Sequence, residues 1–86
     1  MAHSIEIKKA ARKVIAGLPR GDHARVIKAI AALADNPRPP GCKKLQGEEL
    51  WRIRTGDIRI LYEIHDDRLL VHVVRVGHRS EVYRKL

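Results

Sequence analysis

Apolar and charged residues alternate through Trp51-Arg52-Ile53-Arg54-Thr55 and again through Ile58-Arg59-Ile60-Leu61-Tyr62, and the pattern breaks only at Gly56-Asp57. Strand side chains point alternately to opposite faces, and a two-residue loop that opens on glycine suits a hairpin. The stretch therefore predicts two antiparallel strands in which Thr55 faces Ile58, Arg54 faces Arg59, Ile53 faces Ile60, Arg52 faces Leu61 and Trp51 faces Tyr62. One face would hold Trp51, Ile53, Ile58, Ile60 and Tyr62, and the other Arg52, Arg54 and Arg59. Like charges placed directly opposite each other destabilise a hairpin, so Arg54 facing Arg59 points to a site built for an anion, with phosphate the leading candidate.

The rest of the chain frames this hairpin. Residues His3 to Ile7 alternate and predict a short first strand. From Lys8 to Gly17 the apolar positions Ala11, Val14, Ile15 and Leu18 have helical spacing, and Gly17 can end the helix. Pro19 and Gly21 mark a turn, after which Val26, Ile27, Ile30, Leu33 and Ala34 form the apolar stripe of a second helix with Asp22 as its candidate N-cap. Asn36-Pro37-Arg38-Pro39-Pro40-Gly41 cannot continue a helix and reads as a surface linker. Beyond Leu45, strands are expected over Leu50 to Thr55, Ile58 to His65 and Leu69 to Val76, a meander in which Trp51 and Tyr62 belong to the core and His72 is half-buried. Helices preceding a run of strands predict an α+β fold. Two N-terminal helices would pack on the isoleucine face of a small, mainly antiparallel sheet and leave the arginine face open.

Composition narrows the class of partner. The 86 residues allow one domain, 1–86, with 44% hydrophobic and 33% charged residues, an ordinary globular balance. Lysine and arginine outnumber aspartate and glutamate to give a net charge of +8, so the partner should be acidic: nucleic acid or an acidic protein. A membrane surface fits less well, because no segment is a basic amphipathic helix with bulky apolar anchors. Trp51, Tyr62 and Tyr83 are too few aromatics for a binder that stacks successive bases. The lone Cys42 and the lack of a signal-like apolar run predict a reducing, cytoplasmic setting. Phosphate-cradling glycine loops, GxSxG, HExxH and paired CxxC are absent, and five scattered histidines do not make a metal site, so neither metal nor cofactor is expected.

The end of the chain is more specific. KKLQGEELWRIRTGDIRILYEI and the tail VGHRSEVY, together with the order helix, helix, meander, resemble the RelE family of bacterial toxins within the RelE/ParE superfamily, over nearly the whole chain. That resemblance implies an endoribonuclease of a type II toxin–antitoxin system that cuts messenger RNA in the ribosomal A site and is held inactive by a RelB-like antitoxin. The family's basic strand positions fall on Arg52 and Arg54, its central strand arginine on Arg59, its C-terminal arginine on Arg79 and its catalytic tyrosine on Tyr83. Here arginines stand where relatives often have lysines, and the segment from Gly77 to Ser80 is short enough that Arg79 aligns with either of two basic positions. The implied reaction needs a base for the 2′-hydroxyl, which guanidinium groups around Tyr83 would favour, and positive charge for the phosphorane, which Arg54 and Arg59 would supply. Arg79 would stabilise the leaving oxygen and His78 could donate its proton. Lys43 and Lys44, before the sheet, are candidate contacts to RNA, including the 16S rRNA of the ribosome. Two other readings stay open: a ParE-like toxin that poisons DNA gyrase, and a basic RNA-binding module.

Overall fold

A computed structural model describes residues 2–78. Its elements are β1 (Ser4–Ile7), α1 (Lys9–Ala16), α2 (Arg20–Ala32), β2 (Lys43–Lys44), β3 (Trp51–Thr55), β4 (Ile58–His65) and β5 (Leu70–His78). The strands form one sheet in the order β1-β5-β4-β3-β2, in which only the β1–β5 pair is parallel. The hairpin has the register expected from alternation, from Thr55 opposite Ile58 to Trp51 opposite Tyr62. Gly56 carries a φ of 62° at the first loop position, and Asp57 keeps a negative φ, the combination of a type II′ turn that matches the twist of the strands it joins.

One core sits between the helices and the isoleucine face. Ala11 and Ile15 of α1 and Val26, Ile30 and Leu33 of the α2 stretch pack with Ile53, Ile58, Ile60, Tyr62, Val71, Val73 and Val76 of the sheet. An eight-residue helix is too short to persist alone in water, so α1 depends on this packing, chiefly against β5. Two expected stripe positions lie outward instead: Val14 and Ile27 are exposed, because each helix reaches the sheet along a narrow line and α1 and α2 make few contacts with one another. The start of α2 also differs from expectation. Pro19 is the N-cap residue and Arg20 and Gly21 are already helical, while Asp22 lies within the first turn and pairs with Arg25. Proline is well tolerated where no helical amide is needed, and a carboxylate in the first turn complements the helix dipole without capping it.

The proline-rich linker is bolted to the sheet. The Tyr62 hydroxyl donates to the Pro37 carbonyl at 2.6 Å, and burial pushes its pKa up, so the phenol stays a neutral donor. Arg38 lies over the Trp51 ring at 4.9 Å and donates to Asp66 at 3.0 Å, and His3 reaches the same carboxylate at 3.3 Å. These contacts join the N-terminus, the linker and the β4–β5 turn at the end of the sheet away from Gly56. A two-residue strand that was not expected, β2, follows the linker and pairs with β3.

Replacing Tyr62 with phenylalanine should leave the fold intact but destabilise it by about 1 kcal/mol, since it removes one hydrogen bond and leaves the Pro37 carbonyl unpaired. Urea denaturation with an unchanged m-value and a lowered midpoint is the expected result.

Candidate functional site

The face of the sheet turned away from the helices is organised in rows that cross the strands. Nearest the hairpin tip, Arg54 of β3 faces Arg59 of β4, which faces Gly77 of β5. The next row runs Lys43, Arg52, Leu61, Arg75 over β2 to β5. A third runs Glu63, His72, Glu6 over β4, β5 and β1. The face therefore changes sign along the strands, basic toward Gly56 and acidic toward the β4–β5 turn.

Burial distinguishes the arginines. Arg54 is exposed, Arg52 and Arg75 are half-buried, and Arg59 is only 8% exposed. Arg59 Nη1 and Arg52 Nε are buried and find no hydrogen-bond partner among the described residues. Leu61 is fully buried although it lies on this face, opposite Arg52 and Arg75, and outside the core cluster. Two unit charges about 5 Å apart repel by on the order of 1 to 3 kcal/mol across water-like to protein-like surroundings, and an anion bound between Arg54 and Arg59 would reverse the sign of that term.

Two carboxylates at the acidic end of the sheet, Glu63 and Asp66, are engaged by other groups. Glu63 Oε1 accepts from His65 at 2.9 Å and His72 at 3.3 Å, and these bonds, the one from His65 foremost, hold its pKa below the ordinary carboxylate value. Asp66 is lowered in the same way, first by Arg38 and then by His3. Among the described residues, none of Arg52, Arg54, Arg59 and Arg75 forms an ion pair.

The residues singled out from the sequence do not all converge. Arg52, Arg54, Arg59 and Lys43 share the arginine face. Lys44 faces Trp51 and so belongs to the helix side, where its ammonium lies 3.6 Å from Glu49. His78 faces Ile58 at the exposed end of β5, also on the helix side in register. Arg79 and Tyr83 lie outside the described residues. The arginine that sequence reasoning missed is Arg75. Simple alternation from Val71 and Val73 would point it into the core, but the register shifts at Leu61/Tyr62, so that Tyr62 faces Val73 and Leu61 faces Arg75. Val74 is the extra residue, and a bulge of one residue exchanges the two faces of everything beyond it. The doubled valine Val73-Val74 was the signal.

A small α+β domain with helices on one face of the sheet and several arginines on the other, carrying a net charge of +8, defines a class of small basic proteins, and comparison with known sequences and structures places it further. The family described as the ParE toxin of type II toxin–antitoxin systems matches residues 5–83. Toxin RelG of Mycobacterium tuberculosis is 32% identical over 99% of this chain and 100% of its own length. In three dimensions the chain is similar to the RelBE2 toxin–antitoxin complex of Mycobacterium tuberculosis, with a TM-score of 0.81, 28% identity, and coverage of 92% of this chain and 100% of the other. It is similar as well to the isolated RelE toxin of Escherichia coli, with a TM-score of 0.79 and 26% identity over 95% of this chain and 92% of that one. The chain belongs to the RelE/ParE toxin family of type II toxin–antitoxin systems, and within it is RelE-like. No helix among the described residues is long and apolar enough to cross a membrane.

If Arg54 and Arg59 repel, Arg54→Ala should stabilise the free protein by up to about 1 kcal/mol at low ionic strength, and the gain should shrink as salt is added. Urea midpoints at low and high salt measure this; a destabilised variant, or a gain indifferent to salt, would contradict the repulsion.

Proposed function

We propose that this toxin is a metal-independent endoribonuclease that cuts messenger RNA in the ribosomal A site, and that a RelB-like antitoxin restrains it. The observation that carries the reading is Arg59, a nearly buried guanidinium with an unpartnered Nη1, held opposite Arg54, neither of them in an ion pair among the described residues. Such a pair suits a phosphodiester whose charge increases during reaction. The 2′-hydroxyl loses its proton, its oxygen bonds to the adjacent phosphorus, and the P–O5′ bond breaks as the leaving oxygen gains a proton, giving a 2′,3′-cyclic phosphate and a 5′-hydroxyl. Forked hydrogen bonds from Arg54 and Arg59 to the non-bridging oxygens strengthen as the phosphorane forms. Burial of Arg59 removes competing water and leaves its geometry fixed before substrate arrives.

The remaining roles come from the family resemblance. Tyr83 is the base, its phenolate favoured by the guanidinium groups around the phosphate, and Arg79 stabilises the leaving oxygen, with His78 as a second candidate for the proton. Arg52 and Lys43 bind flanking phosphates, and Lys44 contacts RNA from the other side of β2. The ribosome as substrate carrier puts the protein in the cytoplasm. The complex of the M. tuberculosis RelBE2 toxin with its antitoxin supports a protein partner for this chain too. An acidic antitoxin would be steered by the net charge of +8, so added salt should slow its association.

The family description names the ParE toxin, which favours gyrase as a second reading. Programmed ribosomes separate the two. A-site cleavage should fall by about 10²- to 10³-fold in Arg59→Ala, and Tyr83→Phe should lose it as well. Intact message combined with inhibited gyrase supercoiling would select the second reading instead.

A further inference from the structure

The bulge at Val74 brings Arg75 opposite Leu61, a register position of the arginine face that alternation would not give it, beside the groove that Arg75 lines with Lys8, Ala10 and Val14. Arg59 faces Gly77 and Leu61 faces Arg75, so Arg75 is the diagonal neighbour of Arg59 on the same face, two residues along β5 from a glycine that offers no side chain. Diagonal neighbours across an antiparallel pair lie about 7–8 Å apart, within the span of one extended nucleotide step. In the other direction, Arg75 is the diagonal neighbour of Glu63, the acid placed to neutralise it. His65 and His72 both donate to Glu63 Oε1, and no ion pair joins Glu63 to Arg75 among the described residues. The two histidines thus occupy Glu63 Oε1, and Arg75 forms no ion pair among the described residues.

Charge also sets the direction of a bound strand. Past Arg75 toward the β4–β5 turn, the row Glu63, His72, Glu6 carries two carboxylates, which repel phosphate. The row Lys43, Arg52, Leu61, Arg75 is basic at both ends and spans four strands, about 14 Å. We propose that Arg75 is a phosphate-binding residue for single-stranded RNA, holding the phosphodiester next to the one between Arg54 and Arg59, so that the backbone crosses the sheet toward β5 and does not run along the strands. This rests on the nuclease reading for the identity of the central phosphate. Arg75 is a binding residue, with no part in bond making.

The test uses the full chain and a short 2′-O-methyl single-stranded RNA, which lacks the attacking hydroxyl, so that binding is read without cleavage. Arg75→Gln keeps the stem that lies beside Leu61 and removes the charge; Arg75→Lys restores the charge. In Arg75→Gln, affinity at low salt should fall about 3- to 10-fold and the slope of log K against log salt should flatten by about 0.7, the value for one phosphate contact on a single strand. Arg75→Lys should recover the slope, and both variants should melt at the wild-type temperature. On programmed ribosomes, Arg75→Gln should raise KM and leave kcat unchanged. A slope identical in wild type and Arg75→Gln overturns the proposal, as does a loss confined to kcat, or a loss seen only in binding to an acidic antitoxin peptide. If the slope depends on Arg75 but the wild type cuts nothing, the phosphate site stands and the nuclease reading falls. If the wild type cuts while the slope ignores Arg75, the reverse holds.

Discussion

Two guanidinium groups, Arg54 and Arg59, are forced to face each other by the pairing of β3 with β4, and every other feature of the sheet either imposes that arrangement or leaves it unrelieved. The II′ turn at Gly56 fixes the register, and a slip of one residue would send the isoleucines to solvent and the arginines into the core. Burial of Ile53, Ile58, Ile60 and Tyr62 makes that slip costly, with each large apolar side chain worth about 1.5–3 kcal/mol against exposure. A repulsion on the order of 1 kcal/mol on one face is therefore sustained by hydrophobic burial on the other. Core burial on one face thus holds in register the arginine pair that we propose as the anion site.

Contacts remote from the arginines serve the same end. Tyr62, on the core side of β4, holds the linker through the Pro37 carbonyl, and Arg38 continues the clamp onto Trp51 and Asp66. Glu63 and Asp66 lie toward the far end of the sheet, where Arg38, His3, His65 and His72 occupy them. Among the described residues, the arginines of the basic half are left without ion pairs.

Much of this was legible in the sequence because strand periodicity is strict. Alternation from Trp51 to Tyr62 yields the hairpin register, the faces of Arg52, Arg54 and Arg59, and the core placement of Tyr62, all as observed. Helix periodicity is looser, so Val14 and Ile27 read as buried when the narrow contact of each helix leaves them outside. Where a local irregularity intervened, alternation misled: the bulge at Val74 moved Arg75 to the basic face, and the two-residue pairing of β2 separated Lys43 from Lys44. The depth of Arg59 had no counterpart in the pattern, because burial of a charge on an outer face depends on what its neighbours cover. The assignment of Tyr83 came from the tail motif alone, and it lies outside the described residues.

The central claim is that Arg59 acts through the forked geometry of a desolvated guanidinium, beyond its charge. Arg59→Lys preserves the charge and gives up the fork. Single-turnover cleavage on saturating programmed ribosomes measures the difference, because saturation removes binding from the rate. The account predicts a rate at least about tenfold below wild type in Arg59→Lys, with the ribosome affinity unchanged. A lysine variant that cuts at the wild-type rate would contradict it.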